Sequence, residues 1–155
     1  MKQTLLLLLI ALPLIFTSCS KDDEPTEQTF FVNVYTKYGN SDKELADKAW
    51  LFLFKDNGKT IDYTKTASSI VLDEKITYSD GSTQSYEYSK SAPGVFNLEK
   101  IPNGNYILLV SYSNYNVSYC SCKKITVDYN YRGKKEEKTF SLDNSTGALF
   151  NYQEW

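Results

Sequence analysis

The sequence contains no histidine, and that absence removes more chemistry than any other feature of it. Serine–histidine and cysteine–histidine triads, histidine metal ligands and the usual general base near neutral pH are all excluded. Cysteine is sparse too, at three residues: Cys19 near the amino terminus, then Cys120 and Cys122. Two thiolates without histidines or further cysteines do not make a zinc set, so neither a metal nor a cofactor is expected. An excess of basic charge is also missing. Lysine and arginine number 17 against 19 acids, for a formal charge of −2. No basic footprint for nucleic acid follows from that balance. The densest basic run, Arg132 to Lys135, is followed at once by Glu136 and Glu137. Paired-carboxylate catalysis, as in glycosidases, survives in principle. No two acids cluster with aromatics in a way that picks out such a pair, and the chain reads as a non-enzyme.

Long apolar runs are confined to Leu5–Phe16, which follows Lys2 and precedes Thr17-Ser18-Cys19. The run is ~12 residues, against the ~17–25 that a spanning helix needs. A charged start, a short apolar core and small residues before a cleavage point define a secretory signal. A lone cysteine directly after those small residues is the layout of a lipoprotein signal, cut before Cys19 so that its sulfur carries a diacylglycerol. Residues 1–18 are thus expected to be removed, leaving a lipid anchor at Cys19. Each buried lipid methylene contributes ~0.8 kcal/mol, so two or three chains hold effectively permanently. The acidic run to Gln28 is too polar to bury a core and is expected to be a flexible tether over residues 19–28.

The remainder reads as strands. Phe30, Val32 and Val34 alternate along one face of Phe30–Tyr35. Ala49–Phe54 is continuously apolar, the mark of a central strand covered on both faces. Asp56-Asn57-Gly58-Lys59 predicts a tight reversal into Thr60–Tyr63. Ser79-Asp80-Gly81-Ser82 predicts a second one, between strands Ser69–Tyr78 and Thr83–Ser89. Further strands are expected at Val95–Leu98, Tyr106–Tyr112, Cys122–Asp128 and Lys138–Leu142, and regular helix is nearly absent. On the strand reading Trp50, Phe52, Leu108 and Val110 share one core, and Cys120 and Cys122 point to one face. Same-face spacing suits two packed thiols; a strained local bridge at a bend, or a redox site, remains open. The fold class is all-β: a single antiparallel β-sandwich of about seven strands over residues 29–143. The tail 144–155 carries Leu149, Phe150 and Trp155 and is expected to dock on it.

Two resemblances add to this. Ser20-Lys21-Asp22-Asp23-Glu24 resembles the surface-export signal of Bacteroidetes-type lipoproteins, which implies an outer-membrane anchor facing the cell exterior. Phe96-Asn97-Leu98 followed by Ile101-Pro102-Asn103-Gly104-Asn105-Tyr106 to Val110 resembles transthyretin-like domains, also called carboxypeptidase regulatory-like or prealbumin-like. Leu45–Leu53 is similar to their second strand. With Lys55–Lys59, the same segments also resemble the amino-terminal domain of fimbrillin-like lipoproteins. Neither transfers a catalytic or binding residue.

Tyrosine is abundant, at 13 residues. Exposed rings stack on sugars and fill interfaces, which makes Tyr112, Tyr115 and Tyr119 candidate ligand-stacking aromatics, beside the reading that they are half-buried strand residues. The expectation is a non-catalytic cell-surface lipoprotein, tied to the membrane by lipid, with a protein or glycan partner. The alternatives are a pilus- or fimbria-associated subunit and a carbohydrate-binding accessory of a nutrient-uptake complex.

Overall fold

Alternation along β1 (Glu27–Tyr38) buries Phe30, Val32 and Val34 completely and makes this strand the spine of one sheet. The computed structural model describes residues 25–142 and 148–155. Along the chain, β1 is followed by β2 (Glu44–Leu45), β3 (Ala49–Lys55), helix α1 (Tyr63–Asp73), β4 (Lys75–Thr77) and β5 (Thr83–Ser85). Then come β6 (Tyr88–Ala92), β7 (Val95–Pro102), β8 (Gly104–Asn114), β9 (Val117–Val127), β10 (Lys135–Leu142) and β11 (Phe150–Tyr152).

One sheet has β1 at its centre, with β10 on one edge and β7 and β2 along the other. The second sheet is five-stranded, in the order β11-β9-β8-β3-β6. Their inner faces meet in the main core, where Phe30, Val32 and Val34 oppose Leu51, Leu53, Leu108 and Val110, with Phe96, Leu98 and Phe140 between. The all-β sandwich expected from the strand pattern is therefore the fold. Two pairings depart from an antiparallel arrangement: β1 with β10 and β9 with β11 run parallel. Parallel neighbours need a long crossover; β10 joins β1 after the whole chain between them, and β11 reaches β9 after passing β10.

A second cluster covers the outer face of the five-stranded sheet. Phe52, Phe54, Ile107, Leu109, Cys120 and Cys122 lie under Ala67 and Ile70 of α1 and Ile76 of β4. The insertion between β3 and β6 is thus a partial third layer, and β3 is covered on both faces as its apolar run predicts. Trp50 and Phe52 do not join Leu108 and Val110. The register pairs Leu51 with Val110 and Leu53 with Leu108, so the even-numbered residues of β3 point the other way.

The insertion also corrects the expected strand over Ser69–Tyr78, whose first half is helical. Asp62 caps α1, its Oδ1 accepting from the Lys65 N–H at 3.0 Å, and Thr66, Ala67 and Ile70 form its buried stripe. β-branched Thr66, Ile70 and Val71 weaken helix propensity, but the waiting apolar sheet face decides the matter. Asn57-Gly58 turns the chain without making a hairpin: Asp56 and Asn57 side chains accept from the N–H groups of Gly58 and Lys59. Ile61 then forms a single bridge with Tyr78 instead of a return strand. The reversal at Ser79–Ser82 is as expected, with Gly81 at φ 81 and β4 paired to β5.

Residues 25–28, the described end of the stretch expected as a tether over residues 19–28, already belong to the folded body. Strand β1 starts at Glu27, and Gln28 is buried, donating to the Pro25 carbonyl and to Asn103 Oδ1. At the other end the tail docks: β11 pairs with β9, and the Gln153 side chain bonds both the N–H and the carbonyl of Ser141. Among the described residues no helix is long and apolar enough to cross a membrane.

Candidate functional site

The outer face of the five-stranded sheet is only partly roofed by α1. Where the roof ends, a groove of about 180 Å³ remains, lined by Trp50, Phe52, Ile70, Val71, Glu74, Ser111 and Ser113. Its floor comes from neighbouring strands. Trp50 of β3 lies directly between Ser91 of β6 and Ser111 of β8. Serine is too short to cover an indole, so the ring is left half-buried beside buried Phe52. One row along the sheet, Ser113 and Ser118 face each other with their hydroxyls 2.9 Å apart.

The wall is the last turn of α1. Ile70 is buried against the sheet, Val71 is exposed, and Glu74 ends the helix at φ 54, ψ 38, where its N–H bonds the Ser69 carbonyl. Glycine is the usual residue at such a left-handed cap, because a Cβ is strained there. Glu74 therefore projects from a sharply defined backbone position. Lys48 Nζ lies 4.9 Å from the Trp50 ring centroid, and Tyr86, 5.5 Å from Phe52 between ring centres, forms an exposed rim. An aromatic surface, hydroxyls and one acid thus line a small opening, with one lysine over the Trp50 ring. Among the described residues no group of three or more cysteine, aspartate or glutamate side chains is placed to hold a metal ion.

The residues singled out in the sequence lie elsewhere. Cys19, Ser20, Lys21, Asp22, Asp23 and Glu24 are outside the described residues. Tyr112 and Tyr119 are direct cross-strand partners on the inner face, 7% and 1% exposed, and both rings pack near Phe140. Burial, with the Asp47 charge nearby, pushes the Tyr112 hydroxyl up to about 12. Tyr115 is 99% exposed at the β8–β9 turn, at φ 49. Tyr112 and Tyr119 pack together in the core while Tyr115 stands apart at the turn, so the three do not form a shared exposed platform.

Cys120 and Cys122 are free, buried and on one face, beneath α1 and beside β11. Burial raises both thiols, Cys122 to about 11 despite the Tyr152 hydroxyl 3.9 Å from its sulfur. Such thiols are poor nucleophiles. The groove residues Trp50, Glu74, Ser111 and Ser113 were not legible as a set. The alternation Val110-Ser111-Tyr112-Ser113 does show that β8 turns serines away from the main core, and it is the signal closest to them.

No protein-family model matches the sequence, and no curated protein matches it. Among solved structures, it is similar to a candidate carbohydrate-binding protein of Pseudomonas aeruginosa. That likeness has a TM-score of 0.41 and 15% identity and covers 74% of this chain and 89% of the other. It is also similar to a minor pilin of the Gram-positive pathogen Streptococcus agalactiae, with a TM-score of 0.40 and 10% identity over 75% of this chain. The match spans 44% of that pilin's length. At these scores the two likenesses transfer no site and no activity to this chain.

Proposed function

We propose that this chain is a non-catalytic binding module, held by lipid on Cys19 at the exterior of an outer membrane, and that its ligand enters the Trp50 groove. The observation that carries the reading is the half-buried indole left between two serines at the edge of the α1 roof. Small-molecule sites combine apolar and aromatic surface with a few placed polar groups, as this groove does. A non-catalytic role fits its composition: Glu74 is the one acid lining it, whereas glycoside hydrolysis by carboxylates takes two. The anchor reading rests on Leu5–Phe16, Cys19 and the Ser20–Glu24 run. The transthyretin-like reading rests on the Phe96–Leu98 and Ile101–Val110 pattern, which forms β7 and β8 at the core.

A pilus-associated role is the second reading, because among the described residues β6 ends its sheet, with Ser89, Lys90 and Ser91 exposed, and such an edge can pair with another chain. Lysine at an edge strand's centre discourages such pairing, which ranks this reading lower. Three measurements test the proposal. Cys19→Ala should abolish fatty-acid labelling, and unchanged labelling removes the anchor. Replacing Lys21, Asp22 and Asp23 by alanine should keep the lipid and reduce protease access on intact cells. For the groove, a Trp155→Phe protein reports on Trp50 alone, and a saturable change in its emission with some glycan, peptide or protein is expected. A flat response to all three classes ends the binding reading.

A further inference from the structure

Which ligand suits the groove is set by what surrounds the indole. Trp50 offers an aromatic face whose negative π density attracts the slightly positive hydrogens of C–H groups. The polar groups around it are short and uncharged on the sheet side: Ser91 and Ser111 in the same row, Ser113 one row on. On the helix side stands a single carboxylate, Glu74, fixed by a backbone that strain would otherwise give to glycine. Lys48 Nζ lies 4.9 Å from the ring centroid, so one base accompanies the one acid near the indole.

A pyranose ring has the matching chemistry, with an apolar C–H face and a rim of hydroxyls that both donate and accept. A carboxylate accepts hydrogen bonds from adjacent hydroxyls, and charge-assisted bonds of that kind are the strong ones. A polyanion gains nothing from a site whose fixed charge is an acid balanced by one exposed lysine. Size agrees: about 180 Å³ is below the ~300–1,000 Å³ of pockets for drug-sized ligands, so the groove takes one ring and leaves the neighbouring units outside. Phe52, only 3% exposed, closes the floor and leaves no depth for a large apolar peptide side chain.

We infer that the groove binds one ring of a neutral polysaccharide, its C–H face on Trp50 and its hydroxyls bonded to Glu74 and Ser113. The inference rests on the binding-module reading and names its ligand class.

The test uses the full lipidated chain in detergent, carrying Trp155→Phe, so that Trp50 is the sole indole. Neutral glucans, mannans and xylans are titrated beside polygalacturonate, chondroitin sulfate and a tryptophan-free peptide pool. At least one neutral polysaccharide should shift Trp50 emission saturably, with polyanions weaker by about tenfold or more. Glu74→Gln should weaken that binding by about tenfold, read from the saturation midpoint. If Trp155→Phe disturbs the fold, retardation of the Trp155-containing protein in polysaccharide-loaded native gels, lost in Trp50→Ala, supplies the same answer. Saturation by the peptide pool with no response to any neutral polysaccharide overturns the sugar class but keeps the binding module. Preference for a polyanion, or polysaccharide binding that survives Trp50→Ala, overturns this site. A flat response to every class overturns the sugar inference, and the binding reading falls with it when protein ligands are flat as well.

Discussion

Glu74→Gly is the substitution in which stability and binding should move in opposite directions. Glu74 sits at φ 54, ψ 38, and for a residue with a Cβ the left-handed region costs ~1–2 kcal/mol. Glycine removes that cost, but its unfolded chain is freer, which takes back ~0.5–1 kcal/mol. The side chain is exposed and makes no ion pair among the described residues, so little else is lost. The net expectation is a gain of about 0.5–1 kcal/mol, equivalent to a rise in Tm of roughly 2–4 °C for a domain of this size. Glu74→Ala is the control: it keeps the Cβ and the strain, so its Tm should stay within about 1 °C. Thermal unfolding followed by circular dichroism measures both, and the titration of Trp50 emission measures ligand affinity on the same samples. Glycine should be the more stable protein and the weaker binder. A Tm for Glu74→Gly at or below that of Glu74→Ala would refute the strain argument. An affinity equal to that of the unsubstituted protein would refute the placement of the carboxylate at the ligand.

The remaining predictions concern the frame around the groove. Leu108→Ala empties a fully buried position between the two sheets and should cost ~2–5 kcal/mol in chemical denaturation; a loss below about 1 kcal/mol contradicts the core assignment. Glu136 is buried, which on its own raises its carboxyl, but hydrogen bonds from Lys123 and Tyr131 outweigh burial and hold it below the usual range. A lowered carboxyl contributes stability above its unfolded pKa of ~4.3. That contribution is lost as pH falls through the folded value. Acid unfolding should therefore lose part of its steepness below about pH 4 in Glu136→Gln, and an unchanged acid limb removes the pairing from the argument. Cys120 and Cys122, buried with raised thiol pKa values, should resist a thiol-specific disulfide reagent until the protein unfolds. Rapid labelling of the native protein, or a two-proton mass change on reduction, would overturn the inert pair.

Much of the sandwich was written in local pattern. Phe30, Val32 and Val34 alternate, Ala49–Phe54 is apolar throughout, and Asp80-Gly81 demands a turn, each a consequence of side-chain period or backbone freedom that acts over a few residues. The absence of histidine likewise restricts chemistry whatever the fold. Local pattern could not say that 63–73 is a helix, because Thr66, Ile70 and Val71 are as much at home in a strand. The apolar outer face made by Phe52, Phe54, Ile107 and Leu109 settles it, and those residues come from strands distant in sequence. It also could not say where Trp50 faces. In a strand apolar on both sides, facing follows from register, and register is fixed by pairing Leu51 with Val110 across some sixty residues of chain. The groove is therefore a product of the tertiary structure. Trp50, Glu74 and Ser113 share no motif, and they meet because a sheet's outer face and a helix's last turn end at the same place.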